Sequence, residues 1–325
     1  VQPRERGLHR VIMDPAPRGR ATFPQRFVQS ALAIALASLI SGCGSAPPPS
    51  KFRQIPGGAR VEHDVDPVDV IPADLDLVVR LDLGRMRAAL GPTAADALSR
   101  RALQGAAESE LAEAFACAEV VWIATRAAEL ESGDRVTVIE GNTCMPELSK
   151  SRWEKVRSGN ARVAIFDRKG EAPRAGTARI MNLGNHATVF VSPVELDSVK
   201  RIWDTGPDDR RGNPRAEGVV SIDLRPRPLP PGLAKRYPSI AAILGGIERV
   251  RGSAVLVDDG LKVDAQIIGI TSQGADKAAR FLEGIRDSLK GGKFGDAVKD
   301  AKIEAVEKTV GVKVVIPAKM LLSAM

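Results

Sequence analysis

Histidine is scarce in this chain. Its 325 residues contain three, His9, His63 and His186. Only His186 falls where a folded body is expected, beside Asn185 in a turn. A metal site built on histidines is therefore not expected, and a Ser-His-Asp arrangement would need His186 as its base. No G-x-S-x-G, H-E-x-x-H or Walker-type loop occurs. The glycine-rich strings "GGIERVRG" and "KGGKFGD" lack the spacing and the preceding strand of a phosphate cradle. Neither cofactor nor metal is expected. Aromatic residues make up only 4% of the chain, too few for a stacking platform on single strands. Basic and acidic residues are interspersed, a solvated surface and not a nucleic-acid stripe. Nucleic acid is not an expected partner.

Charge is absent over one stretch. "FVQSALAIALASLI", residues 27–40, has no ionisable side chain, and Arg18, Arg20 and Arg26 precede it. Met13 reads as a possible true start. A basic segment, a short apolar segment and small residues at the end form a secretory signal. Fourteen residues are too few for a spanning helix, which needs about 20. The run ends in Ile40-Ser41-Gly42-Cys43, which resembles the lipobox of bacterial lipoproteins. That resemblance covers residues 13–43. It implies diacylglycerol on the Cys43 thiol, cleavage before Cys43 and acylation of the new amino terminus. Gly44 stands where an Asp would favour inner-membrane retention, so the outer membrane is expected more than the inner. Two or more acyl chains anchor a protein stably without a transmembrane helix.

Residues 44–73 carry six prolines and five glycines or serines, and cannot bury enough apolar surface to fold. They read as a tether, with a root-mean-square reach of roughly 30 Å. The expected organisation is a signal peptide over 1–42, lipidated cysteine and tether over 43–73, one unit over 74–203, a linker over 204–216, and a second unit over 217–325. Residues 1–42 hold six of the 47 basic residues and two of the 40 acidic ones. The remainder carries 41 basic and 38 acidic residues, a formal charge of +3.

The body is written twice. In "ADLDLVVRLDLGRM", Leu75, Leu77, Val79, Leu81 and Leu83 alternate with Asp74, Asp76, Val78, Arg80 and Asp82, a period of two that predicts a half-buried strand. "EGVVSIDLRPRP" repeats the figure, with Asp223 matching Asp82 and Pro317 matching Pro193 downstream. Asp259-Gly260 predicts a tight hairpin turn, with Leu261, Val263, Ala265 and Ile267 facing a core and Lys262, Asp264 and Gln266 facing water. Helices are predicted over 93–116, near 146–156 and through Ala278, Phe281, Leu282, Ile285 and Leu289. Each half then reads β-α-β-β-α-β plus an added strand and helix. The expected class is α+β: two ferredoxin-like α/β-sandwich units from an internal duplication, antiparallel sheets with helices on one face.

Few residues suggest a site. Asp82 and Asp223 could share a proton if a pseudo-twofold brought them together. Each also has arginines close by in sequence, and surface pairing or turn capping accounts for both. Trp122, Trp153 and Trp203 could hold a ligand if exposed, though tryptophan at such spacing is more often core. Cys117 and Cys144 are expected at the open end of the hairpin spanning 118–140, centred on 131, as a disulfide in an oxidising compartment. The expectation is a lipid-anchored, non-enzymatic envelope protein. It would act as a structural or interaction module with a protein partner. The alternative is a solute-binding module with a cleft between the halves. A third reading is a hydrolase using Asp82 and Asp223.

Overall fold

A computed structural model of the protein describes residues 67–91, 109–127, 134–141, 146–157, 163–172, 176–184, 186–206, 218–229, 231–258, 260–292, 295–318 and 320. The signal segment, Cys43, Cys144 and Asp259 lie outside the described residues, as do most of the tether and of the expected linker.

The strands are β1 (Leu77–Asp82), β2 (Val120–Thr125), β3 (Arg135–Glu140), β4 (Trp153–Val156), β5 (Val163–Arg168), β6 (Arg179–Leu183) and β7 (Ala187–Val191) in the first half. The second half has β8 (Val220–Leu224), β9 (Ile247–Val257), β10 (Gly260–Gly269), β11 (Lys302–Val306) and β12 (Thr309–Pro317). The helices are α1 (Leu83–Leu90), α2 (Ser109–Cys117), α3 (Leu196–Thr205), α4 (Pro231–Arg236), α5 (Pro238–Leu244), α6 (Ser272–Leu289) and α7 (Gly295–Val298). All twelve strands form one antiparallel sheet, in the order β11-β12-β10-β9-β8-β1-β2-β3-β7-β6-β5-β4.

The mixed antiparallel class therefore holds, but the sheet is one and not two. A split β-α-β unit places another strand between the two that its helix joins. Here β1 and β2 are direct antiparallel neighbours, and so are β8 and β9, so neither half has the ferredoxin-like order. β1 also pairs with β8. The halves thus meet along hydrogen-bonded sheet, where the solute-binding alternative needed a cleft. From that central pair the strands run outward alike: β2, β3, β7, β6 on one side and β9, β10, β12, β11 on the other.

Side-chain alternation sorts the core onto two faces. On one face Leu81, Val121, Ile139, Ile180, Phe190, Val220, Ala254, Val263 and Ile316 form one buried cluster with Leu83 and Met86 of α1, Leu111 and Phe115 of α2 and Ala297 of α7. Further along this face, Ala275, Ala278 and Ala279 of α6 cover Ile247, Ile267 and Val310. The small side chains let that helix lie close to the strands. Among the described residues, the opposite face is covered only over the first half. There Val78, Trp122, Val136, Val138, Met181, Val189 and Val191 bury against Val68, Val70, Ile71, Leu75 and Val199 of α3. Helices thus occupy both faces of the first half, not one.

Three local expectations need correction. β1 was expected to be half-buried, yet Arg80 and Asp82 are 6% and 7% exposed, because β1 lies mid-sheet with both faces covered. The segment near 146–156 is not a helix: Trp153–Val156 form the edge strand β4, pairing with β5. The Asp-Gly signal places the β9–β10 turn correctly but shifts it by one. Val257 pairs with Gly260, so Gly260 already belongs to β10 and not to the turn. Gly260 has φ 143°, and a Cβ there would lie 2.1 Å from the carbonyl oxygen of Ile316. Only glycine fits this close crossing with β12.

Candidate functional site

The matched aspartates both lie on the central strand pair, but not together. Asp223 is the partner of Val78, whereas Leu81 pairs with Val220. In an antiparallel pair, equivalent positions run to opposite ends. Asp82 and Asp223 are thus four residues apart along the strands, about 13 Å, and cannot share a proton. Each is held by arginine. Asp82 accepts from Arg80 Nη2 at 3.0 Å and caps α1 by accepting from the Arg85 backbone N–H at 3.0 Å. Asp223, fully buried, accepts two bonds from Arg249, at 2.6 Å from Nε and 2.8 Å from Nη2. Arg225 and Arg251 approach it at 4.0 Å.

The tryptophans do not line one cleft. Trp122 lies within the sheet under the Arg80 guanidinium, 5.6 Å from its ring centre, and donates its indole N–H to Glu140 at 2.9 Å. Trp153, on the other face and at the sheet edge, donates to Glu110 at 3.0 Å, with Arg168 over its ring. Trp203, on α3, is half-buried against the second core face. Burial pushes the Glu110 carboxyl up. The Trp153 indole, its own backbone N–H, the Ser109 hydroxyl and Arg152 outweigh that and hold it below the usual carboxylate range.

A second buried charge group closes one end of the first half. Arg126, just past β2, bonds Glu195 and, at 2.5 Å, Asp74. Glu195 is fully buried, in the 3-10 turn Pro193–Glu195 that leads into α3. Burial lowers the Arg126 pKa, but the bonds to Glu195 and Asp74 outweigh it and raise it above the ordinary arginine value. Asp76 accepts from the Ala127 backbone N–H at 2.6 Å. These contacts tie residues 67–76 and α3 to the sheet, a structural task.

His186 is exposed, and its carbonyl accepts from the Gly141 backbone N–H at 3.1 Å. Among the described residues no group of three or more His, Cys, Asp or Glu is placed to hold a metal. No described helix is long and apolar enough to cross a membrane. Cys117 ends α2, with two residues between it and β2, and does not start the strand. It is disulfide-bonded.

The feature that sequence reading missed is on the second half. Among the described residues, the face that α3 and residues 67–75 cover in the first half has nothing over it here. It carries Arg225, Arg251, Lys262, Lys302 and Lys313 beside Asp264 and Glu304. Next to it, between α7 and β12, lies a cavity of about 560 Å³ whose polar lining is Lys262, Lys299, Lys302, Lys313, Asp296 and Asp300. The volume is in the range of ligand sites. The lysines are spread over the sequence from 262 to 313 and read singly as solvated surface, so no local motif announces the groove.

No family model matches the chain, and no curated protein matches it. Among solved structures, crystal form I of TP0453 aligns at 12% identity with a TM-score of 0.47, over 81% of this chain and 99% of that one. Crystal form III of TP0453 aligns at 10% identity with a TM-score of 0.45 over the same shares.

Proposed function

We propose that the chain is a lipid-anchored bacterial envelope protein whose body is a structural or interaction module made of two related halves. The observation that carries the anchor is the uncharged run 27–40 ending in Ile40-Ser41-Gly42-Cys43. A disulfide at Cys117 fits the oxidising compartment to which such a signal would send the chain. Relatedness of the halves is supported by register. Leu81 faces Val121 while Ile222 faces Gly252, and Val136 faces Val191 while Lys262 faces Val315. Carried outward from the centre, these pairings lay Val191 over Val315 and Pro193 over Pro317. An interaction role is supported by the open charged face of the second half, set beside a first half covered on both faces.

The test is Cys43→Ala in cells. The wild-type chain is expected to partition with membranes and to gain the mass of acylation. The variant is expected to be uncleaved or soluble. A variant that partitions and is processed like the wild type would remove the anchor.

A further inference from the structure

We propose that the groove between α7 and β12 binds an extended acidic peptide segment of a protein partner, added as a strand to the free end of β12. The proposal rests on the interaction-module reading and names the partner's chemistry.

The first observation is an unused strand edge. β11 pairs with β12 from Val306↔Thr309 to Lys302↔Lys313 and stops there. β12 continues to Pro317. Among the described residues, 314–317 therefore have β10 on one side and no strand on the other. α7 packs beside this stretch, and its Ala297 is buried in the same core cluster as Ile316. The cavity of about 560 Å³ separates the helix from Val314, Val315 and Pro317. Val315 is 47% exposed. A four-residue strand is about 13 Å long, and main-chain bonding along such an edge is a recurrent mode of peptide capture.

The second observation is charge. Four lysines line the cavity against two aspartates. Lys299 and Lys313 lie at 3.9 and 4.0 Å from Asp296 and Asp264, long contacts between exposed groups, and such pairs contribute little. Among the described residues Lys262 and Lys302 have no ion-pair partner. The groove thus carries a surplus of two positive charges, two of them uncommitted. Strand side chains alternate between faces. A peptide with acids at every second position would turn its carboxylates toward Lys262, Lys302 and Lys313, which all stand on the open face. Its other side chains would meet the α7 side. Electrostatic complementarity of this kind chooses the partner more than it adds raw affinity.

The experiment is fluorescence anisotropy with the full chain in detergent and a labelled octapeptide alternating Glu and Val. Saturable binding is expected, weakening about tenfold as salt rises from about 0.05 M to about 0.5 M. Alternating Lys and Val should not bind. The double variant Lys302→Glu, Lys313→Glu should lose at least about tenfold in affinity. Both side chains are exposed, so the fold should survive. An octapeptide N-methylated at alternate residues keeps the charges but cannot bond along an edge. It should fail to bind. No binding of the parent peptide, or equal binding of the N-methylated one, overturns the proposal. Either result leaves the membrane partition of Cys43→Ala untouched, so the two readings fail separately.

Discussion

Replacing Arg126 by methionine should unfold the protein far more easily than a surface change would. Glu195 is fully buried, and Arg126 is the partner of its Oε1. Its Oε2 has no partner. Asp74, the other acid on Arg126, is 42% exposed in its side chain and can turn to water. Removing the guanidinium therefore strands one buried carboxylate. Breaking a buried pair from one side costs about 3–5 kcal/mol. At about 2–4 °C per kcal/mol for a chain of this size, the midpoint should fall by roughly 6–20 °C. Thermal and urea unfolding followed by circular dichroism at neutral pH measure it. The double variant Arg126→Met, Glu195→Met should recover most of the loss, since a buried pair exchanged for apolar groups is often neutral. A single variant within about 1 kcal/mol of wild type, or a double variant no better than the single, would show that this pair does not hold the end of the sheet.

Other outcomes follow from the same geometry. If Cys117 joins Cys144, the denatured protein without reductant should show neither thiol, and reduction should cost roughly 3–4 kcal/mol for a loop of 28 residues; two reactive thiols would refute the pairing. The lowered carboxyl of Glu110 contributes stability that is complete above the unfolded value of about 4.3. That contribution is lost as pH falls through the lower folded value. Glu110→Gln should flatten the acid limb of an unfolding-midpoint profile, and an unchanged limb would remove Glu110 from that account. Gly260→Ala should cost at least about 1–3 kcal/mol, because the new Cβ meets backbone; a neutral result would mean β12 can shift away.

What the sequence disclosed depended on how many faces an element buries. β10 has one open face, and its alternation of Leu261, Val263 and Ile267 with Lys262, Asp264 and Gln266 was legible throughout. β1 has none. Arg80 and Asp82 look water-facing in the sequence, and only the covering segment 67–75 and the neighbouring strands bury them. β4 is four residues long with three exposed, too short to show a period, and passed for part of a helix. The matched aspartates were legible as a repeat. Their separation was not, because it is the antiparallel pairing of β1 with β8 that sends them apart. The groove at β12 depends on where β11 stops, which no local pattern records.

The central place of β1 bears on how the molecule carries load. A pull on the chain ahead of residue 67 first meets the segment under the sheet, held by Arg126 through Asp74, and then β1. That strand lies between β2 and β8, bonded antiparallel to both. Such bonds run across the strand axis, so tension along β1 loads two rows of them together in shear instead of peeling them singly from an edge. The force divides between the two halves at the moment it arrives. A chain entering by an edge strand such as β4 would unzip; entry through β1 should let the sheet resist as a single body.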